Sequence, residues 1–350
     1  MNLRFSQTVF LLLALPGLVH GDKYKQVKPE DKIKKAKLNG RKDEYIVVMQ
    51  EPDTMSFMSG GRKLVKPFQV EDASSIAGLV SMSVNEKVDV SSVYTNSLRG
   101  FSVNMSEKAA LKMAERSDVA YIEQNADISI EQIGTATWGI DRVDQRDLPL
   151  DNNYVIGGGG TGVAAYIIDT GVQVSHFEFG GRARWGINTS GDNDDRDCNG
   201  HGTHVAGTVG GTEYGVAKNV EIVAVKVLQC SGSGSTTGVV NGVEWTLNDA
   251  ALQGKPATAN MSLGGGYSQA LNDAVKNLQN SGVPTVVAAG NENTDACTRS
   301  PASEQTVITV GSTTSSDARS SFSNYGECLD IYAPGSSITA AWIGSNTQTN

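Results

Sequence analysis

Three residues stand where side-chain chemistry could be done. Asp169 ends the apolar run Gly162-Val163-Ala164-Ala165-Tyr166-Ile167-Ile168, and an acid there costs desolvation unless it has a partner or a task. His201 opens a stretch whose small residues let another chain segment approach, Asn199-Gly200-His201-Gly202-Thr203-His204-Val205-Ala206-Gly207. A carboxylate and an imidazole together can activate a hydroxyl, because the imidazole accepts its proton while the carboxylate fixes the tautomer and stabilises the cation. Asn291 follows Val286-Val287-Ala288-Ala289-Gly290. Alone, an Asn after Gly is more often a turn residue; beside an acid and an imidazole, its amide can donate to an oxygen that gains negative charge. His204, one helical turn beyond His201, reads as a core residue, since a zinc pair needs a His-Glu-x-x-His pattern that is absent.

These residues need elements to hold them. Val220 to Leu228, Ala257 to Leu263 and Val283 to Ala289 are apolar runs like the one before Asp169, and helical stretches separate them at His201 to Gly210, Thr236 to Ala250 and Ser268 to Ser281. Strands buried on both faces with helices between them imply α/β architecture with a doubly wound parallel sheet. Ligands in such sheets sit beyond the carboxyl ends of the strands, where Asp169 and Asn291 fall.

The first part of the chain reads differently. Met1 to Gly21 has Arg4, then the apolar run Val9 to Leu15, then small residues, the layout of a secretory signal peptide. That run is too short to span a bilayer. Residues 22–43 are Lys-rich without apolar periodicity and read as a solvated linker. From Glu44 onward, Tyr45 to Met49 predicts a strand, Val70 to Met82 a helix, Val88 to Tyr94 with Phe101 to Met105 a hairpin, Glu107 to Glu115 a helix capped by Ser106, and Val119 to Glu123 a last strand. That βαββαβ order is ferredoxin-like α+β and names no function alone.

Composition narrows the classes. A 350-residue chain with 39% hydrophobic and 19% charged residues is ordinary for globular proteins. Thr135 to Asn350 carries 11 Lys and Arg against 21 Asp and Glu, while the residues before it carry 18 against 17. An acidic second half argues against nucleic acid and fits cation binding. Cys198, Cys230, Cys297 and Cys328 form an even set downstream of a secretion signal, which suggests two disulfides. Three pairings are possible; the order along the chain suggests Cys198 with Cys230 and Cys297 with Cys328. Loops of that size would each add about 3 to 4 kcal/mol. Asp141, Asp144, Gln145, Asp151 and Asn153 crowd oxygen donors into one segment, as does Asp192-Asn193-Asp194-Asp195, and hard oxygen donors favour calcium.

In its Asp169, His201 and Asn291 segments the sequence resembles the subtilisin-like serine proteases, in particular their proteinase K and aqualysin branch. The resemblance makes Asp169 and His201 the catalytic acid and base and Asn291 the oxyanion donor. The order Asp, His, Ser is the family's own known order rather than a deduction from this chain. It also implies that Gly232-Ser233-Gly234 and Ser262-Leu263-Gly264 edge a cleft that takes a peptide as an added strand. The Asp141 cluster resembles a calcium site of the aqualysin-like branch. Gln305, Val307 and Asp330 match another whose donors are two backbone carbonyls and one carboxylate.

The same resemblance makes residues 44–130 an inhibitory pro-domain whose tail plugs the cleft, and residues 135–350 the catalytic domain, with maturation between Ile128 and Trp138. The expected protein is secreted and monomeric, acts on proteins and peptides, has its own pro-domain as intramolecular inhibitor, and engages neither nucleic acid nor membrane. One departure is serious: the family's nucleophile lies in Gly-Thr-Ser-Met-Ala, a motif absent from the 350 residues. Because Ile331 to Gly344 matches the segment preceding that motif, the serine is expected shortly after Asn350. Two other readings are a nucleophile-less product that only binds peptides or inhibits a protease, and a secreted calcium-binding module.

Overall fold

A computed structural model describes residues 28–36, 40–50, 68–130, 138–155 and 159–350. The leader read over residues 1–21 lies outside them, as do residues 131–137 of the maturation window.

Seven parallel strands form one sheet, in spatial order 331–334, 308–313, 285–288, 257–261, 164–169, 221–226, 183–188. The strand order reverses between Ala257–Met261 and Ala164–Asp169, so Asp169 ends a strand at the topological switch point. Successive residues of the buried strands face opposite layers. Tyr166, Ile168, Val223 and Val225 pack towards the helices Thr236–Gln253 and Gln269–Asn280, whereas Ala165, Ile167, Ile222 and Ala224 pack towards His201–Gly210. This two-sided burial explains runs with no polar alternation. The helices begin at side-chain caps: Ser235 accepts from Gly238 N, and Ser268 accepts from Leu271 N. The apolar run that reads as one strand from Ala257 to Leu263 is two, Ala257–Met261 in this sheet and Leu263–Gly266 in the other. Ala183–Asn188, Ile308–Thr313 and Ile331–Pro334 add strands that the sequence reading did not name.

The other sheet has eight strands, and four of them form an antiparallel first unit in order 119–130, 40–49, 100–104, 89–94, with helices Val70–Val84 and Glu107–Ala114 on one face. This is the expected ferredoxin-like βαββαβ arrangement, with Ser106 capping its helix by accepting from Ala109 N. Tyr45, Val47 and Met49 face those helices with Phe101, Val103 and Ile122. Ile46 and Val48, on the opposite face of the same strand, join the cluster of Val239, Val243, Leu271 and Val275 in the second unit. The segment read as a linker contributes structure of its own: Pro29–Lys32 is a 3-10 turn, Ile33–Lys34 pairs parallel with Ile122–Glu123, and the strand Gly40–Met49 starts before Glu44. Polar side chains mask these pairings in the sequence because one face of each is wet.

Both disulfides close as the cysteine order suggests, Cys198 with Cys230 and Cys297 with Cys328, and the described residues include no free cysteine. The first joins the loop before His201 to the loop before the edge strand Ser233–Ser235.

Candidate active site

Asp169 is fully buried, and its Oδ1 receives the Thr170 amide at 2.7 Å and meets His201 Nδ1 at 2.8 Å. Helix His201–Gly210 approaches the strand end closely. A Cβ on Gly202 would lie 2.0 Å from the Gly171 carbonyl oxygen and 3.2 Å from the Asp169 side chain, so only glycine permits the approach. His204 is buried, with Nε2 3.1 Å from the Ile338 carbonyl and its ring edge-on to Trp342. Burial lowers its pKa, which keeps it neutral and structural.

Asn291 lines a cavity of about 270 Å³ together with Thr208, Asn260, Ser262 and Ser312, beyond the carboxyl end of strand Thr285–Ala288. The loop carrying it is clamped by Asn324, a buried residue that the sequence reading missed. Asn324 Nδ2 donates to Ala289 O at 2.8 Å and Glu292 Oε2 at 2.7 Å. Its Oδ1 accepts from Glu292 N and Thr294 N, and its own amide donates to Gly290 O. Gly290 has φ 103°, and a Cβ there would lie 2.3 Å from Asn324 Nδ2. No local pattern could reveal Asn324, because its partners lie about thirty residues earlier.

The two glycine-rich segments form facing edges. Ser233–Ser235 pairs antiparallel with 127–129, and Leu263–Gly265 pairs antiparallel with 128–130, so the end of strand Val119–Ile130 is the middle strand between them. Gly232 has φ 79° in the turn leading to the first edge, and Ser262 lines the Asn291 cavity beside the second.

Polar side chains fix the first unit on the second. Glu123 accepts from the Ser268 hydroxyl and, at 3.0 Å, from Ala270 N, at the start of helix Gln269–Asn280. Asn125 Oδ1 accepts from Thr237 N at 3.0 Å in the first turn of helix Thr236–Gln253. These acceptors satisfy amides that a helix start leaves without intrahelical partners. Glu244 returns the arrangement, receiving the backbone amides of Thr95, Asn96 and Ser97.

Among the candidate metal donors, Asp141 is buried; its Oδ2 accepts from Asn152 N at 2.9 Å, while its Oδ1 has no hydrogen-bond partner. Around it, Asp144 accepts from Val155 N, Gln145 Oε1 from Asp151 N, and Asp151 Oδ1 from Asn153 N. Asp330 Oδ2 accepts from Thr309 N at 2.8 Å, close to the segment holding Gln305 and Val307. The Asp192 run has cations of its own: Lys226 Nζ lies 3.5 Å from Asp192, and Arg196 lies 2.7 Å from Asp194. Asp192, Cys198 and Cys230 cluster closely, but the two sulfurs are spent on the disulfide.

Comparison with known proteins matches residues 160–350 to the Subtilase family (Peptidase_S8) and residues 44–131 to Peptidase inhibitor I9. Alkaline serine exoprotease A of Vibrio alginolyticus is 50% identical over 88% of this chain and 57% of its own length. Extracellular serine proteinase of Thermus sp. (strain Rt41A) is 47% identical over 87% of this chain and 75% of its own. The crystal structure of a cold adapted subtilisin-like serine proteinase is 59% identical, covers 60% of this chain and 76% of that one, and superposes with a TM-score of 0.57. The chain thus spans little more than half the length of the Vibrio relative. No helix among the described residues is long and apolar enough to cross a membrane. With more than half of its residues matched to one family and a close relationship along three quarters of the Thermus protein, the chain belongs to the subtilases.

Proposed function

We propose that the complete protein is a secreted, monomeric serine endopeptidase held inactive by its own N-terminal unit. The observation that carries this reading is a stretch of backbone held as an added strand: 127–130 runs between Ser233–Ser235 and Leu263–Gly265, the two edges expected to take a substrate, in a molecule whose second unit also holds a buried Asp169–His201 pair. A protein substrate would occupy the same place by β-augmentation, recognised through main-chain pairing with Gly232, Ser233 and Gly234 on one side and Ser262, Leu263 and Gly264 on the other. Recognition of this kind reads backbone before side chain, so specificity is broad.

In the reaction, Asp169 orients the imidazole through Nδ1 and stabilises its cation, and Nε2 of His201 takes the proton of the attacking hydroxyl. Asn291 donates to the oxygen that becomes negative in the tetrahedral intermediate. The hydroxyl belongs to a serine outside these 350 residues, in the Gly-Thr-Ser-Met-Ala sequence that the family places after a segment like Ile331 to Gly344. Sequencing the transcript past Asn350 locates it. In the complete protein, His201→Ala should abolish self-removal of the N-terminal unit and leave a full-length precursor on gels; normal processing of that variant sinks the assignment.

Calcium is proposed as a structural ion. The unpartnered, buried Asp141 Oδ1 supports a cation held by Asp141 with Asp144, Gln145, Asp151 and Asn153. Asp330 with the carbonyls of Gln305 and Val307 offers a second all-oxygen set. Bound there, calcium would cross-link surface loops and take no part in bond cleavage.

A further inference from the structure

Asp197 is used by nothing described so far, yet it is buried four residues before His201 and all its contacts are donors. Its Oδ1 receives Thr170 Oγ1 at 3.0 Å, Asn199 N at 3.1 Å and Gly200 N at 2.8 Å. Its Oδ2 receives Thr203 N at 2.9 Å and Thr203 Oγ1 at 2.6 Å. Five donors converging on two oxygens require a carboxylate, since an amide offers one acceptor oxygen and would present its own donors to the rest. Gly200, the residue at the helix N-cap, has no side chain to offer the first turn. Asp197 supplies that acceptor, at the end of the helix where negative charge is favoured.

Thr170 carries the effect to the acid. Its hydroxyl donates to Asp197 and accepts from Gly202 N at 2.9 Å, while its amide donates to Asp169 Oδ1 at 2.7 Å. Its carbonyl accepts from the fully buried Lys226 Nζ at 3.0 Å. Thr170 is therefore gripped on both sides, by Asp197 of the loop before the helix and by Lys226 of the neighbouring strand. We propose that Asp197 is a positioning residue for the Asp169–His201 pair, acting through the Thr170 hydroxyl to lock the strand end against the first turn of the helix. It touches neither the imidazole nor the cleft. The proposal rests on the reading of Asp169 and His201 as acid and base.

The test is a titration of His201 by NMR in this full chain, with labelled histidine, which needs no nucleophile. Thr170→Val removes the hydroxyl at constant volume and charge. It should lower the His201 midpoint by about one pH unit, because the imidazolium loses well-placed support from Asp169. The proton signal of the Nδ1 hydrogen bond should broaden or vanish with it. Thr170→Ser, which keeps the hydroxyl, should restore both. Asp197→Asn should resemble Thr170→Val; because it also removes a charge, and can fail to fold, the Thr170 pair decides. A folded Thr170→Val protein with a wild-type midpoint and an intact proton signal overturns the proposal. Asp169→Asn serves as the control: if it leaves the midpoint unmoved, the acid–base reading has failed and the positioning role falls with it.

Discussion

The antiparallel sheet of the first unit and the parallel sheet of the second each bury two faces, but by different means. The parallel sheet is covered on both sides by helices of its own segment, and two disulfides tie its loops. The antiparallel sheet covers one face with Val70–Val84 and Glu107–Ala114 and lays Ile46 and Val48 of the other on helices of the second unit. It contains no cysteine. One unit is internally closed; the other is completed by docking. Under the proposed function that difference suits an N-terminal unit that is cut away, since a segment that borrows half its cover loses stability once it is detached.

The largest effect that could sharpen this contrast comes from the disulfides. Replacing Cys198 and Cys230 together by Ser should destabilise the second unit by about 3 to 4 kcal/mol, the cost of freeing a loop of 32 residues in the unfolded chain. Denaturant unfolding with a probe in each unit should show the second transition moving and the first following only through lost docking. Equal, simultaneous losses would mean that the two units melt as one, and the contrast would be gone.

Calcium removal comes next. If the Asp141 and Asp330 sets hold ions, excess chelator should cost about 2.7 kcal/mol for a site normally at a hundredfold its Kd, again in the second unit alone. An unchanged melting temperature in chelator counts against both sites.

Much of this contrast is legible in the sequence, and the illegible part has a physical pattern. Asp169 could be read because it ends an apolar run, and His201 because glycines flank it; both signals lie within a few residues of the side chain they mark. The split of Tyr45 to Met49 between two cores follows from strand alternation once a partner is known, but the run itself shows only that both faces are buried. Asn324 and Glu244 carried no signal at all. Each is an ordinary polar residue whose partners lie elsewhere in the chain, such as Thr95 to Ser97 for Glu244, some 150 positions earlier. Asp197 has local partners in Asn199, Gly200 and Thr203, but its tie to Thr170 leaves no mark in the sequence. Ile33–Lys34 escaped for a similar reason, since a two-residue edge strand has no periodicity to show.

Glu244 offers a direct way to break the docking half of the comparison. Its carboxylate receives three consecutive backbone amides, from Thr95, Asn96 and Ser97, and Glu244→Ala leaves those amides to water or to nothing. Docking should weaken by on the order of 2 kcal/mol, the scale of hydrogen bonds to a charged group with part of the loss recovered by solvent. Hydrogen exchange in the strands Asp89–Tyr94 and Gly100–Asn104 should rise while exchange in the parallel sheet stays at its wild-type rate. Equal exchange in wild type and variant would show that Glu244 is dispensable and that the packing of Ile46 and Val48, with the Glu123 and Asn125 contacts, secures the unit.

The smallest expected effect belongs to Glu123, and its sign separates a polar lock from a plain cap. Burial between the units raises its pKa above the ordinary 4.5, although the Ser268 hydroxyl, the Ala270 amide and Lys34 pull the other way. A group whose pKa is higher in the docked state takes up a proton on docking. Its contribution is therefore complete below pH 4.5 and fades as the pH rises through the raised value, so docking should loosen towards neutrality. Its neighbours Tyr121 and Tyr267 have raised pKa values and remain protonated there. Glu123→Gln, neutral at every pH, should flatten the slope while leaving the helix N-terminus an acceptor. Exchange protection of helix Gln269–Asn280, followed from pH 4.5 to neutrality, reads the difference between the two proteins. A wild-type profile that strengthens with pH would mean that the ionised carboxylate at the helix start outweighs its desolvation, making Glu123 a charge-dependent cap instead of a pH-sensitive release point.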